Sequence, residues 1–312
     1  MGALPDSAQL GEGADINALQ TSGCSAPASG VGIEPRISDS RSATAESALN
    51  ARADKGAARL GIGIPGCENA VRVAEAVALA ETAGLDSAWF LDAQLIWRDV
   101  YATMALAAAN TNRMTLATGI ALTTARHPTV VACGINTVSE LAPGRVVLGM
   151  GTGGLGYFLG AAPRKLDELR QDVCRVRALL AGESVDYREE GGYRVHLIGA
   201  SGPVPIYLSG GGPKVAELAG ELADGIILSV GTSPEVLRQA LANVRIGLER
   251  SGRTFDDFEV SCTYFMHVTD DIERDVRLLK PTVCALASNT AGGCRPKVGP
   301  AGVGGCRYQR RW

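Results

Sequence analysis

From about residue 59, short apolar runs alternate with longer segments in which apolar residues recur every three or four positions. Runs such as "SAWFLD" and "RVVLGMG" predict strands, whereas segments such as "ENAVRVAEAVALAETAGL" predict amphipathic helices. Seven predicted strands alternate with seven predicted helices as far as about residue 288. The strands are apolar throughout, which is typical of parallel strands buried on both faces.

Strict alternation of strand and helix is compatible with a doubly wound sheet or with a (β/α)8 barrel. The eighth unit of a barrel should begin near residue 289, yet residues 289–312 contain six glycines, five basic residues and no acidic one. We therefore predict an α/β fold, a (β/α)8 TIM barrel that lacks its eighth βα unit. We hypothesise that the chain leaves its ancestral reading frame around residues 288–295.

The composition divides the chain into three zones. Residues 1–57 contain no aromatic residue and are rich in small and polar ones, so they bury too little apolar area to offset the entropy of ordering. We expect a disordered leader over 1–57, the truncated barrel over 58–288 and an irregular tail over 289–312.

Charge and composition exclude several classes of protein. A net charge of −3 and an aromatic content of 5% do not fit a nucleic-acid-binding surface. The apolar runs are shorter than the roughly 18 residues that a membrane helix needs, and the first basic residue, Arg36, lies too late for a secretory signal. The eight cysteines form no C-x-x-C pair, and Cys133 and Cys174 are expected on buried helix faces. We expect a cytoplasmic protein without a metal.

The first glycine cluster follows the fourth predicted strand. Gly149, Gly151 and Gly154 fit the G-x-G-x-x-G spelling of a dinucleotide-binding turn, but Pro163 delays the next helix, and no strand ends about 20 residues later. The alternatives are a plain βα turn and a barrel rim where backbone approaches a flat ligand closely. We favour the rim.

The second glycine cluster, in "YLSGGGPKVAELAG", follows the fifth predicted strand and opens a helix directly. Gly210, Gly211 and Gly212 would present N–H groups beside the helix N-terminus, where anions are favoured. Pro213 suits an early helix position because no donor is needed there. We favour a phosphate or carboxylate site over a simple turn.

Four stretches, in this order and spacing, resemble one family: "AETAGLDSAWFLDAQLIWRD", "TGIALTTARHPTVVA", "LAPGRVVLGMGTGG" and "PVPIYLSGGGPKVAELAGELADGIIL". The family is the luciferase-like flavin- and deazaflavin-dependent oxidoreductases, and the resemblance is to the branch that uses coenzyme F420, which includes methylenetetrahydromethanopterin reductase. It covers about residues 59–288. It implies hydride transfer between F420 and a small organic substrate. An FMN-dependent monooxygenase of the same fold and an inactive, truncated barrel remain alternatives.

The resemblance also implies roles for individual residues. Asp92 would lie near the deazaflavin ring and Trp97 would cap its reacting face, which makes both candidates for catalysis. A non-prolyl cis peptide and a bulge behind the ring are implied at Gly119 and Ile120. The implied cofactor-binding residues are Asp92, Gly119, Ile120, Gly151, Thr152, Ser209, Gly210, Gly211, Gly212 and Pro213.

Two departures from the family pattern limit the reactions that we expect. Ala93 replaces a His found beside the Asp in many members, and Gly154 replaces a carboxylate that would exchange a proton during hydride transfer. We therefore expect reduction of an electrophilic substrate rather than oxidation of a sugar phosphate. We interpret His127, in "RHP", as a helix start rather than a catalytic base. The open edges of a seven-stranded barrel would favour a homodimer.

Overall fold

Seven parallel strands form one continuous sheet in the computed structural model, which describes residues 58–153, 162–188, 191–210, 212–277 and 280. The leader 1–57, the tail 289–312, Gly154 and Gly211 lie outside the described residues. The strands follow one another across the sheet in the order β1 (Gly61–Pro65), β2 (Ser87–Leu91), β3 (Thr115–Thr118), β5 (Val146–Gly151), β8 (Ile206–Ser209), β9 (Gly225–Leu228) and β10 (Glu259–Cys262).

Three shorter strands lie outside this order. β4 (Ala121–Leu122) follows β3 and pairs with the carboxyl end of β5. β6 (Val185–Asp186) and β7 (Arg194–Val195) form an antiparallel hairpin, as the polar stretch between the fourth helix and the fifth predicted strand indicated. The predicted alternation is therefore confirmed, with the third predicted strand divided into two pieces.

Each crossover between the parallel strands contains a helix whose start is marked in the sequence. Asn69 accepts a hydrogen bond from the Arg72 amide, and Asp99 accepts from the amides of Tyr101 and Ala102, as N-cap side chains do. The helices are α1 (Ala70–Thr82), α2 (Val100–Ala109), α3 (Pro128–Leu141), α4 (Leu166–Leu180), α5 (Pro213–Leu222) and α6 (Pro234–Arg250), and residues 272–277 are also helical.

Two apolar clusters explain why the central strands are apolar at every position. One face of the sheet packs against the helices through residues such as Phe90, Leu148 and Ile206. The other face, inside the curved sheet, forms a smaller cluster of Ala117, Val147, Tyr207 and Ile227 with Trp89 and Ile120 packed against it. Successive side chains alternate between the two clusters, so both faces of a central strand are buried.

The two edge strands differ from this pattern. β1 and β10 end the strand order, and most of their residues are exposed or half-buried. The prediction of burial on both faces is therefore wrong for these two strands, because each has a neighbour on one side only. An ion pair of 2.6 Å joins Arg59 to Glu259, but such an exposed pair adds only about 0–1 kcal/mol. Among the described residues, seven strands follow one another across the main sheet, β4 is an eighth strand beside β5, and the barrel is not closed.

The positions of Cys133 and Cys174 also differ from the prediction. Both side chains are exposed, because each lies one position beyond a buried residue of its helix, Ala132 in α3 and Val173 in α4. No helix among the described residues has the length and apolar character needed to cross a bilayer.

Candidate active site at the carboxyl rim of the sheet

The carboxyl ends of the central strands lie side by side and bring together several predicted site residues. In the sheet register Leu122 pairs with Gly151, and Gly151 pairs with Ser209. The segment that follows β3, the end of β5 and the end of β8 therefore form one continuous rim. This is the edge at which enzymes of this architecture bind their substrates.

Gly119 and Ile120 are joined by a cis peptide bond, as the resemblance implies. The Ile120 side chain extends over β5, where a Cβ atom added to Gly151 would lie 2.4 Å from Ile120 Cδ1. A Cβ atom at Gly149 would lie 2.1 Å from the Thr118 carbonyl oxygen. A backbone contact thus requires glycine at 149, whereas a Cβ atom at 151 would displace the end of the Ile120 side chain. These contacts lie within the chain, which differs from the sequence interpretation that the glycines make room for a ligand.

A cavity of about 260 Å³ lies next to the end of β5. The Thr123 hydroxyl donates to the Gly151 carbonyl at 3.1 Å, and the Arg164 amide donates to the Thr152 carbonyl at 2.9 Å, so both walls are tied to this strand. A cavity of this size is at the lower limit for a complete ligand and suits one part of a larger molecule. Its lining residues are Thr123, Thr124, Ala162, Pro163, Arg164, Lys165 and Glu168.

Asp92 follows β2 and is buried in a cluster of charged groups. Its Oδ2 accepts a hydrogen bond from the Leu122 amide at 3.2 Å and contacts the Arg126 guanidinium. Arg126 Nη2 also donates to Asp99 Oδ2 at 2.9 Å. The guanidinium lies 5.5 Å from the centre of the Tyr101 ring, a distance typical of a cation–π contact.

These environments move the pKa values of the cluster in different directions. Burial raises the pKa of Asp92, against the opposing effects of Arg126 and the Leu122 amide. Burial acts in the same direction on Asp99, but the Ala102 amide and Arg126 outweigh it and lower the pKa of Asp99. Burial disfavours the Arg126 cation, yet the two carboxylates outweigh it and raise the pKa of Arg126. Arg126 is therefore a permanent cation between two carboxyl groups.

The end of β8 leads into a helix N-terminus that no side chain caps. Gly212 is the N-cap residue of α5, and its backbone is extended. Nothing lies within 4 Å of a Cβ atom added to Gly212, whereas one added to Gly210 would lie 2.6 Å from the Val215 side chain. Pro213 occupies the first turn. The amides of that turn and the helix dipole are arranged as an anion site requires.

Trp97 and His127 lie at the same rim but make other contacts. The Trp97 amide donates to the Ala93 carbonyl at 2.9 Å, and the Trp97 Cβ lies beside Gly66, just after β1. His127 is the N-cap residue of α3, which confirms the predicted helix start. Its ring lies 4.6 Å from that of Tyr187. None of the contacts found in the described residues joins Trp97 to the Asp92 carboxylate.

Arg126 is the site residue that the sequence analysis missed. It is 34 positions from Asp92, and no spacing rule connects residues on two different strand-to-helix loops. The sequence did contain a signal for this residue. In a barrel, a basic residue immediately before the helix start His127-Pro128 must lie at the same rim as Asp92, where it can pair with the carboxylate.

Comparison with known proteins identifies the family. The family model for luciferase-like monooxygenase matches residues 48–296, and the chain belongs to this family. It is 32% identical over 198 residues to a 5,10-methylenetetrahydromethanopterin reductase of Methanolobus tindarius, covering 61% of this chain and 60% of that protein. It is 35% identical over 202 residues to an F420-dependent glucose-6-phosphate dehydrogenase of Kineococcus radiotolerans, covering 59% and 60%. The chain thus spans about 60% of the length of these curated relatives.

Solved structures share the fold. A coenzyme F420-dependent tetrahydromethanopterin reductase from Methanopyrus kandleri superposes with a TM-score of 0.63 at 21% identity, covering 74% of this chain and 73% of that one. An F420-dependent secondary alcohol dehydrogenase, in complex with an F420–acetone adduct, superposes with a TM-score of 0.65 at 22% identity, covering 74% and 76%.

Proposed function

We propose that this member of the luciferase-like family is an oxidoreductase that moves a hydride between coenzyme F420 and a small organic substrate. The observation that supports it most directly is the rim, where the ends of β4, β5 and β8 are adjacent and the uncapped N-terminus of α5 opens beside them. A curated relative whose name specifies F420 is 35% identical over 202 residues, which cover 59% of this chain.

The residues present fit a planar ring with an anionic tail. The amides at the start of α5, with Gly210, Gly212 and Pro213, would hold the phosphate, and the open space at Gly212 leaves room for it. The backbone at Ile120 and Gly151 would support the ring. The deazaflavin supplies the hydride chemistry, and the protein supplies binding and orientation.

The remaining predicted residues have proposed roles at the edges of this site. Ser209 and Thr152 would contact the cofactor from the ends of β8 and β5. Asp92 would accept a hydrogen bond from the ring, and Trp97, which is half-buried, would cover its reacting face. Gly211 belongs to the same proposed phosphate loop but lies outside the described residues.

The substrate class follows from the departure at residue 154. Some relatives act on a sugar phosphate, as the name glucose-6-phosphate dehydrogenase states, and the resemblance implies a carboxylate at that position in such enzymes. Gly154 offers no group to exchange a proton. We therefore propose that the substrate is already electrophilic and accepts the hydride without a protein acid at this position.

The wider organisation is also part of this proposal. We propose that residues 58–288 form the barrel unit, with the leader before it and the irregular tail after it, and the family match over 48–296 supports the position of the unit. The exposed edge strands β1 and β10 favour a homodimer. The composition favours a location in the cytoplasm.

Titration of the purified chain with F420 and, separately, with FMN tests the proposal. Absorbance and fluorescence report binding of each chromophore, and size-exclusion chromatography first establishes that the chain is folded and soluble. We expect F420 to bind at one site per chain and FMN to bind at least tenfold more weakly, a difference of about 1.4 kcal/mol. Binding of FMN alone would favour the monooxygenase alternative, and binding of neither by a folded chain would favour the inactive barrel.

A further inference from the structure

Arg126 contacts two carboxylates at once, and the proposed function alone does not explain these contacts. Its side chain is 13% exposed and lies between Asp92, whose side chain is 1% exposed, and Asp99, whose side chain is 53% exposed. It therefore connects a buried carboxylate at the end of β2 to a solvated carboxylate at the start of α2. The Tyr101 ring, also on α2, packs against the guanidinium.

The contacts of Asp92 are divided unequally between its two oxygens. The Leu122 amide and Arg126 both contact Oδ2. Within the described part of the chain, Oδ1 takes part in none of the hydrogen bonds. Asp92 directly follows β2, at the carboxyl rim of the sheet. Oδ1 is therefore the atom that can accept a hydrogen bond from a ligand, while Oδ2 anchors the group.

The charge on this carboxylate depends on Arg126. Burial acts against ionisation of Asp92, and the groups that face it are Arg126 from the loop before α3, Asp99 and Tyr101 from α2, and the Leu122 amide. Arg126 is the only cation in this set. Without it, a buried carboxylate beside a second carboxylate would take up a proton, and its free oxygen would lose its ability to accept a strong hydrogen bond.

We propose that Arg126 is a positioning residue that fixes Asp92 through Oδ2 and keeps it ionised, so that Oδ1 accepts a hydrogen bond from the bound cofactor. This inference rests on the proposed function, because it assigns the ligand of Oδ1 to the cofactor ring. Asp99 supports this position of Arg126. It accepts a hydrogen bond from the outer side of the guanidinium through Oδ2, and it caps α2 through Oδ1.

The test compares the pH dependence of F420 affinity among variants. For the wild type we expect a dissociation constant that is nearly constant from about pH 6 to pH 8, because Arg126 and the Leu122 amide oppose the effect of burial on the pKa of Asp92. For Arg126→Gln we expect affinity about tenfold weaker at the acid end, with recovery as the pH rises and Asp92 loses its proton. Arg126→Lys keeps the charge and should restore the flat profile.

Three further variants make the result specific. Asp92→Asn should weaken binding equally at every pH, and Arg126→Gln added to it should change little, because the two residues act through one interaction. Asp99→Asn keeps the helix cap and removes only the outer ion pair, so we expect a loss of about two- to fivefold. Arg177→Gln is the matched control, because it breaks an Arg–Asp pair with Asp224 at the opposite end of the sheet and should leave the affinity unchanged.

The outcomes separate the two proposals. Absence of F420 binding by the folded wild type would refute the proposed function, and this inference with it. Normal wild-type binding together with a flat, unweakened profile for Arg126→Gln would overturn the inference alone. If Arg126→Gln proved unstable in thermal unfolding, two other variants would still test the inference. It requires that the F420 affinity of Arg126→Lys does not change with pH and that Asp99→Asn binds F420 measurably more weakly than the wild type.

Discussion

Substitution of Gly212 by aspartate should separate stability from cofactor binding at the rim of β8. Gly212 caps α5 with an extended backbone, and its missing Cβ would point into open space, so aspartate fits without a clash. Aspartate is favoured over glycine at an N-cap by a few tenths of a kcal/mol. Its charge at the helix N-terminus adds about 0.3–1 kcal/mol. The variant should therefore be at least as stable as the wild type.

The same carboxylate would compete with an anion held by the first turn of α5. At about 4 Å, two unit charges repel each other by about 1 kcal/mol in water and about 4 kcal/mol at the effective dielectric constant near a protein surface. We take about 1.5–3 kcal/mol, which corresponds to a loss of affinity of roughly 10- to 100-fold. Gly212→Asn is the matched control, because asparagine caps the helix without a charge, and it should bind F420 within a few-fold of the wild type.

Fluorescence titration with F420 at low and high salt, combined with thermal unfolding, measures both effects. The Gly212→Asp variant should regain part of its lost affinity at high salt, because salt screens exposed charges. Equal dissociation constants for Gly212→Asp and Gly212→Asn would refute the assignment of an anion to this helix N-terminus. A fall in the unfolding temperature of Gly212→Asp would contradict the capping geometry.

Three further predictions concern stability. Glu81→Gln should lower the free energy of unfolding by about 1–3 kcal/mol, because the carboxylate accepts hydrogen bonds from three successive backbone amides. These amides outweigh burial and lower the pKa of Glu81. The stability that Glu81 contributes should therefore be complete above its unfolded pKa and disappear as the pH falls through its folded pKa. Urea unfolding at several pH values would measure this change. Gly151→Ala should cost about 1–3 kcal/mol by overpacking against Ile120 Cδ1, and calorimetry should show that Ile120→Ala relieves part of the cost; a cost unchanged by the second substitution would contradict this contact. Asp172→Asn should lower the free energy of unfolding by about 1–3 kcal/mol, because it weakens the bidentate pair between the buried Asp172 and Arg164. A loss below about 0.5 kcal/mol in urea unfolding would contradict a role for this pair in stability.

The arrangement of the barrel could be predicted from the sequence because each element has a local signal. Apolar runs mark the buried strands, and Pro213 marks the start of a helix directly after a strand. Once the strands are parallel, their carboxyl ends must meet at one edge. The adjacency of Gly151 and Ser209 then follows from the fold without further information.

The remaining features depend on contacts between distant parts of the chain. The apolar sequence of β1 resembles that of a central strand, but its burial depends on whether a second neighbour is present. The partner of Asp92 is an arginine on another loop. The close contact at Gly151 comes from the Ile120 side chain, in the segment after β3. No periodicity or spacing encodes these contacts.

Hydrogen–deuterium exchange of the backbone amides, with and without bound F420, tests the central claim most directly. If the rims of three neighbouring strands hold one cofactor, exchange should slow in all three rim segments, 119–122, 151–153 and 212–216, on addition of F420. The hairpin of β6 and β7 serves as an internal reference that should not change. Protection of only one rim, or protection confined to the amino-terminal ends of the strands, would contradict the account.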